Sequence, residues 1–228
     1  MKKHFQLIAF ITLYCCNSCF AQTSEKKTVK AGESLSSISY YLFPGFSDAI
    51  VKLKDGNTLK SKMNFNLTIC QLEFISPQGD TLVIAEPSAV DSIYCNNEVF
   101  FFANNIYYQV IASAGAIKLA VERTASYVPV KIGALGLPDH VGSGIETYKS
   151  FFLYTGLKTL VASEDVEITV RTTYVLVTGN TQFNRANKNS FIKAFPANEQ
   201  KIKTYLKQNR VSFDKAGDLE KFFLFCAA

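Results

Sequence analysis

VKLKDGNTLKSKMNF, residues 51–65, is the stretch whose reading decides the fold. Asp55-Gly56 has the form of a two-residue hairpin turn, but the flanking side chains disagree with it. From Thr58 onward the residues alternate. Leu59, Ser61, Met63 and Phe65 share one side; Thr58, Lys60, Lys62 and Asn64 share the other, as in a half-buried strand. Before the turn, Val51 and Leu53 oppose Lys52 and Lys54. A two-residue loop sets Leu53 against Thr58 and Val51 against Lys60, which mixes the faces. A three-residue loop, Lys54-Asp55-Gly56, sets Val51 against Leu59 and keeps the faces pure. Gly56 then takes the left-handed position of a type I turn followed by a bulge.

The same device recurs downstream. Cys70, Leu72 and Phe74 share a strand face opposite Gln71 and Glu73. A three-residue loop at Pro77-Gln78-Gly79 pairs Phe74 with Leu82 and Leu72 with Ile84. Ser113-Ala114-Gly115, read the same way, pairs Ile111 with Ile117. Asn96-Asn97 and Asn104-Asn105 suit two-residue turns, because Asn tolerates positive φ. Together these predict a consecutive antiparallel meander of about eight strands over residues 49–123, with a ninth reaching residue 132. A meander of this length must roll or close into a barrel to protect its edges. The strands near Phe100 to Phe102 and Tyr107-Tyr108 are apolar on both faces, so a downstream element is expected to cover the outer side.

Residues 133–149 are Gly-rich and read as a long loop. A short strand follows at 151–154 and a strong one at 166–178. The period then changes. Phe191, Ile192 and Phe195 mark one helical turn, which Pro196 ends. Ile202, Tyr205 and Leu206 mark a second helix, and Leu219, Phe222 and Phe223 a third, capped by Ser212 or Asp214. The expected architecture is mainly β: a rolled or barrel-like antiparallel meander with a small C-terminal helical segment, α+β overall. Residues 1–21 are read as a leader, 22–48 as a lead-in segment, 49–178 as the β-domain and 179–228 as helices packed on it.

The leader reading rests on Lys2 and Lys3, an apolar run over residues 5–14 and Ala21 as a cleavage point. That run is too short to span a bilayer. Its removal takes the net charge from +5 to +3 and leaves Cys70, Cys95 and Cys226 of six cysteines. An odd number allows at most one internal bridge, with Cys70 and Cys95 the pair in question. Cys19 is the residue a lipid would take if the leader were of the lipoprotein type.

Site chemistry is sparse. Beyond the leader, His140 is the single histidine. It sits in PDHVGSG with Asp139 and Ser143, where sequence neighbours do not make a triad and no nucleophile elbow is present. It reads as a solvent-exposed loop residue. No dinucleotide, phosphate-loop, zinc or calcium spacing occurs, so no cofactor or metal is expected. The basic tail stands out. Arg185, Lys188, Lys193, Lys201, Lys203, Lys207 and Arg210 face one acid, Glu199, over residues 185–210. Lys201, Lys203, Lys207 and Arg210 are the candidate partner-facing surface.

The runs YLFPGFSDAIVKLKDGNTLKSKMNFN (41–66), EFISPQGDTLVIAEPSAVDSIYCNNEVFFF (73–102) and NKNSFIKAFPANEQKIKTYLKQNRVSFDKAGDLEKF (187–222) resemble a group of secreted proteins of unknown function common in Bacteroidota. The resemblance implies a Gram-negative cell envelope, periplasmic or outer-membrane-associated, and carries over no catalytic residue. In such bacteria Asp-Ser/Thr-apolar triplets can be O-glycosylated, which marks Thr81 and Ser92. The function expected is a non-catalytic envelope protein, a β-module that binds or scaffolds an envelope protein or an acidic membrane surface, not nucleic acid. A carrier of a small apolar ligand is the alternative, and an unrecognised hydrolase the second.

Overall fold

The structure, a computed structural model, describes residues 24–33, 40–132, 138–139, 165–179 and 181–228. The leader with Cys19, His140 and the strand expected at 151–154 lie outside them. Within the expected loop, β11 (Pro138–Asp139) pairs with β10 (Lys131–Ile132).

The first hairpin joins β2 (Ser47–Leu53) to β3 (Thr58–Asn66), and Val51 stands opposite Leu59. Gly56 has φ +91°, its N–H donates to the Leu53 carbonyl at 3.0 Å, and the Leu53 N–H donates to the Asn57 carbonyl at 2.9 Å. Asp55 Oδ1 caps the turn by accepting from the Asn57 N–H. The hairpin between β4 (Gln71–Ile75) and β5 (Thr81–Val83) repeats the pattern. Gly79 lies at φ +89°, Gly79 N donates to Ser76 O, Ser76 N donates to Asp80 O, and Phe74 pairs with Leu82. Gly56→Val forces a β-branched residue into the left-handed region. It should lower stability by roughly 1 kcal/mol or more, read as a lower denaturant midpoint at unchanged slope. An unchanged midpoint would show that the turn tolerates a side chain there.

The expected register fails at the third glycine. Ala114, not Ile111, faces Ile117, so the loop between β8 (Ile106–Ala114) and β9 (Ile117–Pro129) is the two residues Gly115-Ala116. Gly115 takes φ +56° while Ala116 has no positive φ, as in a II′ turn with Gly first. A bulge between Val110 and Ala112 absorbs the shift. It lets both Ile111 and Ala112 pack toward the helices. The Asn-Asn turns are as expected, all four residues having φ between 51° and 63°.

Strand order departs from a single meander at one point. After β5 the chain passes through a 3-10 turn (Pro87–Ala89), and β6 (Val90–Cys95) pairs with β2 on its free side, Ile50 facing Tyr94. β7 (Glu98–Ala103), β8 and β9 follow outward, then β12 (Val166–Thr178), which runs beside β9 from end to end. Two four-stranded meanders, β2–β5 and β6–β9, thus stand back to back. The far side of β12 is shared by β1 (Ser24–Val29) along its first half and β13 (Gln182–Arg185) along its second. The supposed lead-in therefore contributes an edge strand. It is tied by Lys26–Glu167 and Lys30–Asp165 ion pairs of 2.9 and 2.8 Å.

The eleven-stranded sheet rolls without closing: β1 and β5 are its two ends among the described residues. Rolling brings β9 across to β3. Arg123 lies 5.8 Å from the centroid of the Phe65 ring, and the Tyr127 hydroxyl donates to the Thr68 carbonyl just past β3. Inside the roll, Met63, Phe65, Leu72, Ile93, Phe100 and Tyr107 form one core. Phe65 and Phe100 stack at 5.8 Å.

Helices α1 (Lys188–Ala194), α2 (Glu199–Gln208) and α3 (Ala216–Ala227) make a second core with Leu119 and Leu176 of the sheet. Phe191, Ile202, Leu219, Phe222 and Phe223 are fully buried there. Asn187 caps α1 in a capping box with Ser190. At α3 the expected cap is wrong. Lys215 holds the cap position without a side-chain bond, Asp218 reaches back to accept from the Ser212 N–H at 3.0 Å, and Asp214 pairs with Arg185. The outer face at Phe101 and Tyr108 is covered by Phe183 of β13, 4.9 Å from the Tyr108 ring, rather than by the helices.

Candidate functional site

The basic tail is divided by the fold. Helical phasing buries Ile202 and half-buries Tyr205 and Leu206, which turns Lys201, Lys207 and Arg210 outward. Lys203 does not belong with them: it is half-buried and paired with Glu199 one turn earlier. Lys201 lies over the Phe225 ring at 4.7 Å with its charge still exposed. Lys188 and Lys193 on α1 are exposed as well. The exposed cations of α1, α2 and the turn after α2 are therefore Lys188, Lys193, Lys201, Lys207 and Arg210, and none of the five is ion-paired among the described residues. Leu224 of α3 is also exposed, at 54%.

A second cluster was not singled out from the sequence. Leu119, Val121 and Arg123 share the inward parity of β9, which puts a guanidinium inside the roll. Burial is the main influence on it and lowers its pKa. No carboxylate lies within ion-pair distance of it among the described residues. Tyr108 pairs with Glu122, so Tyr107 stands opposite Arg123. Tyr107 is 2% exposed, and among the described residues its hydroxyl, Gln109 Oε1 and Thr68 Oγ1 have no hydrogen-bond partner. Burial pushes the Tyr107 pKa upward, so the phenol keeps its proton. The signal for Arg123 was present in the alternation. Its lack of a carboxylate was not, because that depends on which strands the roll brings close.

Burial keeps two of the thiols, Cys95 and Cys226, protonated. Cys95 donates to the Met63 carbonyl, and burial pushes its pKa up to about 11. Burial, opposed by Lys201, pushes Cys226 up to about 12. Cys70 lies in the β3–β4 turn at φ 54°, not on the strand face expected for it, and it is not bridged to Cys95. Buried Glu73 accepts from the Tyr41 hydroxyl at 2.7 Å and Asn66 Nδ2 at 3.2 Å, a structural clamp. Thr81 is half-buried in edge strand β5, and the Ser92 hydroxyl donates to the Asp91 carboxylate at 3.0 Å. Among the described residues no group of three or more His, Cys, Asp or Glu could hold a metal, and no helix is long and apolar enough to cross a membrane. No family model and no curated protein matches the chain.

Proposed function

We propose that the protein is an exported, non-catalytic module of the cell envelope that rests its helical layer against an anionic membrane surface. The observation carrying this reading is the set of five exposed, unpaired cations on α1, α2 and the turn after α2, beside exposed Leu224. Spread over separate helical turns, they suit a diffuse anionic surface better than a single bidentate partner. Each basic residue near such a surface is worth about 1 kcal/mol, screened by salt. An acidic envelope protein would use the same charges in a more localised way.

The test is retention on anionic and neutral liposomes across a salt series, comparing wild type with Lys207→Glu/Arg210→Glu. Both side chains are exposed, so the double reversal should change stability by less than about 1 kcal/mol. Retention on anionic vesicles should fall with the reversal and with salt. Equal, salt-insensitive retention of the two proteins removes the basic layer from the account. Salt-sensitive retention on envelope fractions but not on protein-free anionic vesicles would reassign the surface to an acidic protein.

A further inference from the structure

We propose that the open edge of the sheet at β5 takes up an extended segment of another polypeptide, flanked by lysine or arginine, which adds a strand beside Thr81–Val83. This surface is independent of the basic helical layer.

Backbone alternation fixes which groups are open. The Leu42 N–H donates to the Phe65 carbonyl at 2.9 Å, on the side of β3 away from β4. Asn64 and its partner Glu73 therefore turn their backbone groups toward each other, and Phe74 turns its own toward β5. At the hairpin end the Ser76 N–H donates to the Asp80 carbonyl at 2.8 Å, which makes Phe74–Leu82 the next bonded pair by the same count. Thr81 and Val83 thus point their N–H and C=O groups away from β4. β5 is an end of the sheet, and no described residue bonds to these groups. Leu82 and Val83 are exposed on opposite faces of the edge, at 42% and 43%. β1, at the other end, carries Lys26 and Lys27, the kind of charge that discourages strand addition. β5 contains no charge, proline or bulge.

The surrounding charge selects the occupant. Between Lys62 and Lys118 the chain has no lysine, arginine or histidine, while Glu73, Asp80, Glu86, Asp91 and Glu98 all fall there. Asp80 and Glu86 are exposed and bracket β5 in the chain. A strand with cations at both ends complements this edge, and the acidic field favours its approach. A second copy of the chain does not. Antiparallel pairing centred on Leu82 would bring Asp80 of each copy toward Glu86 of the other at both ends, and like charges across strands repel. Within the added strand, the residue opposite Leu82 lies on the face of Leu82 and Phe74, which calls for an apolar side chain there.

The experiment titrates the purified chain with the acetylated, amidated peptide KKTVTKK, whose central valine stands opposite Leu82, and follows amide exchange by NMR. The controls are EETVTEE and KKTVTKK N-methylated at both threonines. KKTVTKK should bind and should slow exchange at Thr81 and Val83 more than at Leu82, which is already bonded to Phe74. Each control should bind about tenfold more weakly, since one reverses the charge and the other removes the main-chain donors. Val83→Pro deletes one outward N–H at an edge position that accepts proline, so it should melt near wild type and bind KKTVTKK several-fold more weakly. If that variant fails to fold, the N-methylated peptide decides. The proposal is overturned if KKTVTKK does not bind, if either control binds as well, or if protection appears away from Thr81 and Val83. It is equally overturned if the chain self-associates in sedimentation with Thr81 and Val83 protected in the absence of peptide, which would give the edge to a second copy.

Discussion

Phe222→Ala should lower the free energy of unfolding by about 3–5 kcal/mol, the range for removing a fully buried aromatic ring. Phe222 is 0% exposed and sits at the centre of the helical core, with ring centroids 4.6 Å from Phe191, 5.5 Å from Tyr205 and 6.0 Å from Phe213. Its loss opens a void between α1, α2 and α3 that the ridges of the sheet at Leu119 and Leu176 cannot fill. Denaturant unfolding measures the effect, with exposed Lys221→Ala as a control expected within about 0.5 kcal/mol of wild type. A cost for Phe222→Ala below about 1 kcal/mol would mean that the helices contribute little to the cooperative unit.

The second large effect is expected at Asn64. It lies on the face of β3 that carries Lys60 and Lys62, yet it is 0% exposed. The segment before β2 folds over it. Asn64 Nδ2 donates to the Phe43 carbonyl at 3.0 Å and the Gly45 carbonyl at 2.9 Å, and Oδ1 accepts from the Phe43 N–H at 3.2 Å. Oδ1 accepts from the Phe65 N–H as well, at 2.8 Å, so Asn64→Ala removes the side-chain partner of four backbone groups at once. At about 1–3 kcal/mol for each group left buried, and with some rehydration, the net cost should be about 2–4 kcal/mol. Asn64→Asp should cost at least as much, since a carboxylate turns acceptors toward two carbonyls. If thermal unfolding showed either variant within about 0.5 kcal/mol of wild type, the tolerance of an exposed site, the clamp would have no energetic weight.

These residues show where local pattern suffices. Register at Gly56 and Gly79 was legible because a one-residue slip would have turned every side chain to the wrong face. The Asn-Asn turns were legible because few residues accept two successive positive φ values. At Gly115 the same rule misled. Glycine serves as either the first residue of a II′ loop or the third of a bulged loop, and the bulge near Ile111 that decides between them leaves no local mark. The placement of β6 beside β2 was not legible either, because it is a choice between two sheet edges separated by the whole first meander. Asn64 read as an outward residue for a similar reason: alternation gives the face, not what lies over it. Of the candidate surface, exposure at Lys201, Lys207 and Arg210 followed from helical phase, while the Lys203–Glu199 pair shows that spacing which creates a basic face can also neutralise part of it.

The edge along β12 also sets an order of events. Lys26 and Glu167, which bridge β1 to β12, are 141 residues apart in the chain. Every strand from β2 to β9 finds a partner within its own or the adjoining meander, so those pairings close short loops and form early. β1 precedes all of them in the chain. It can dock only after β12 has lain down on β9, on the half of that strand which β13 does not occupy. The first of the described strands thus closes one of the longest loops in the sheet, and loop-closure entropy sets its docking against the local pairings of the two meanders.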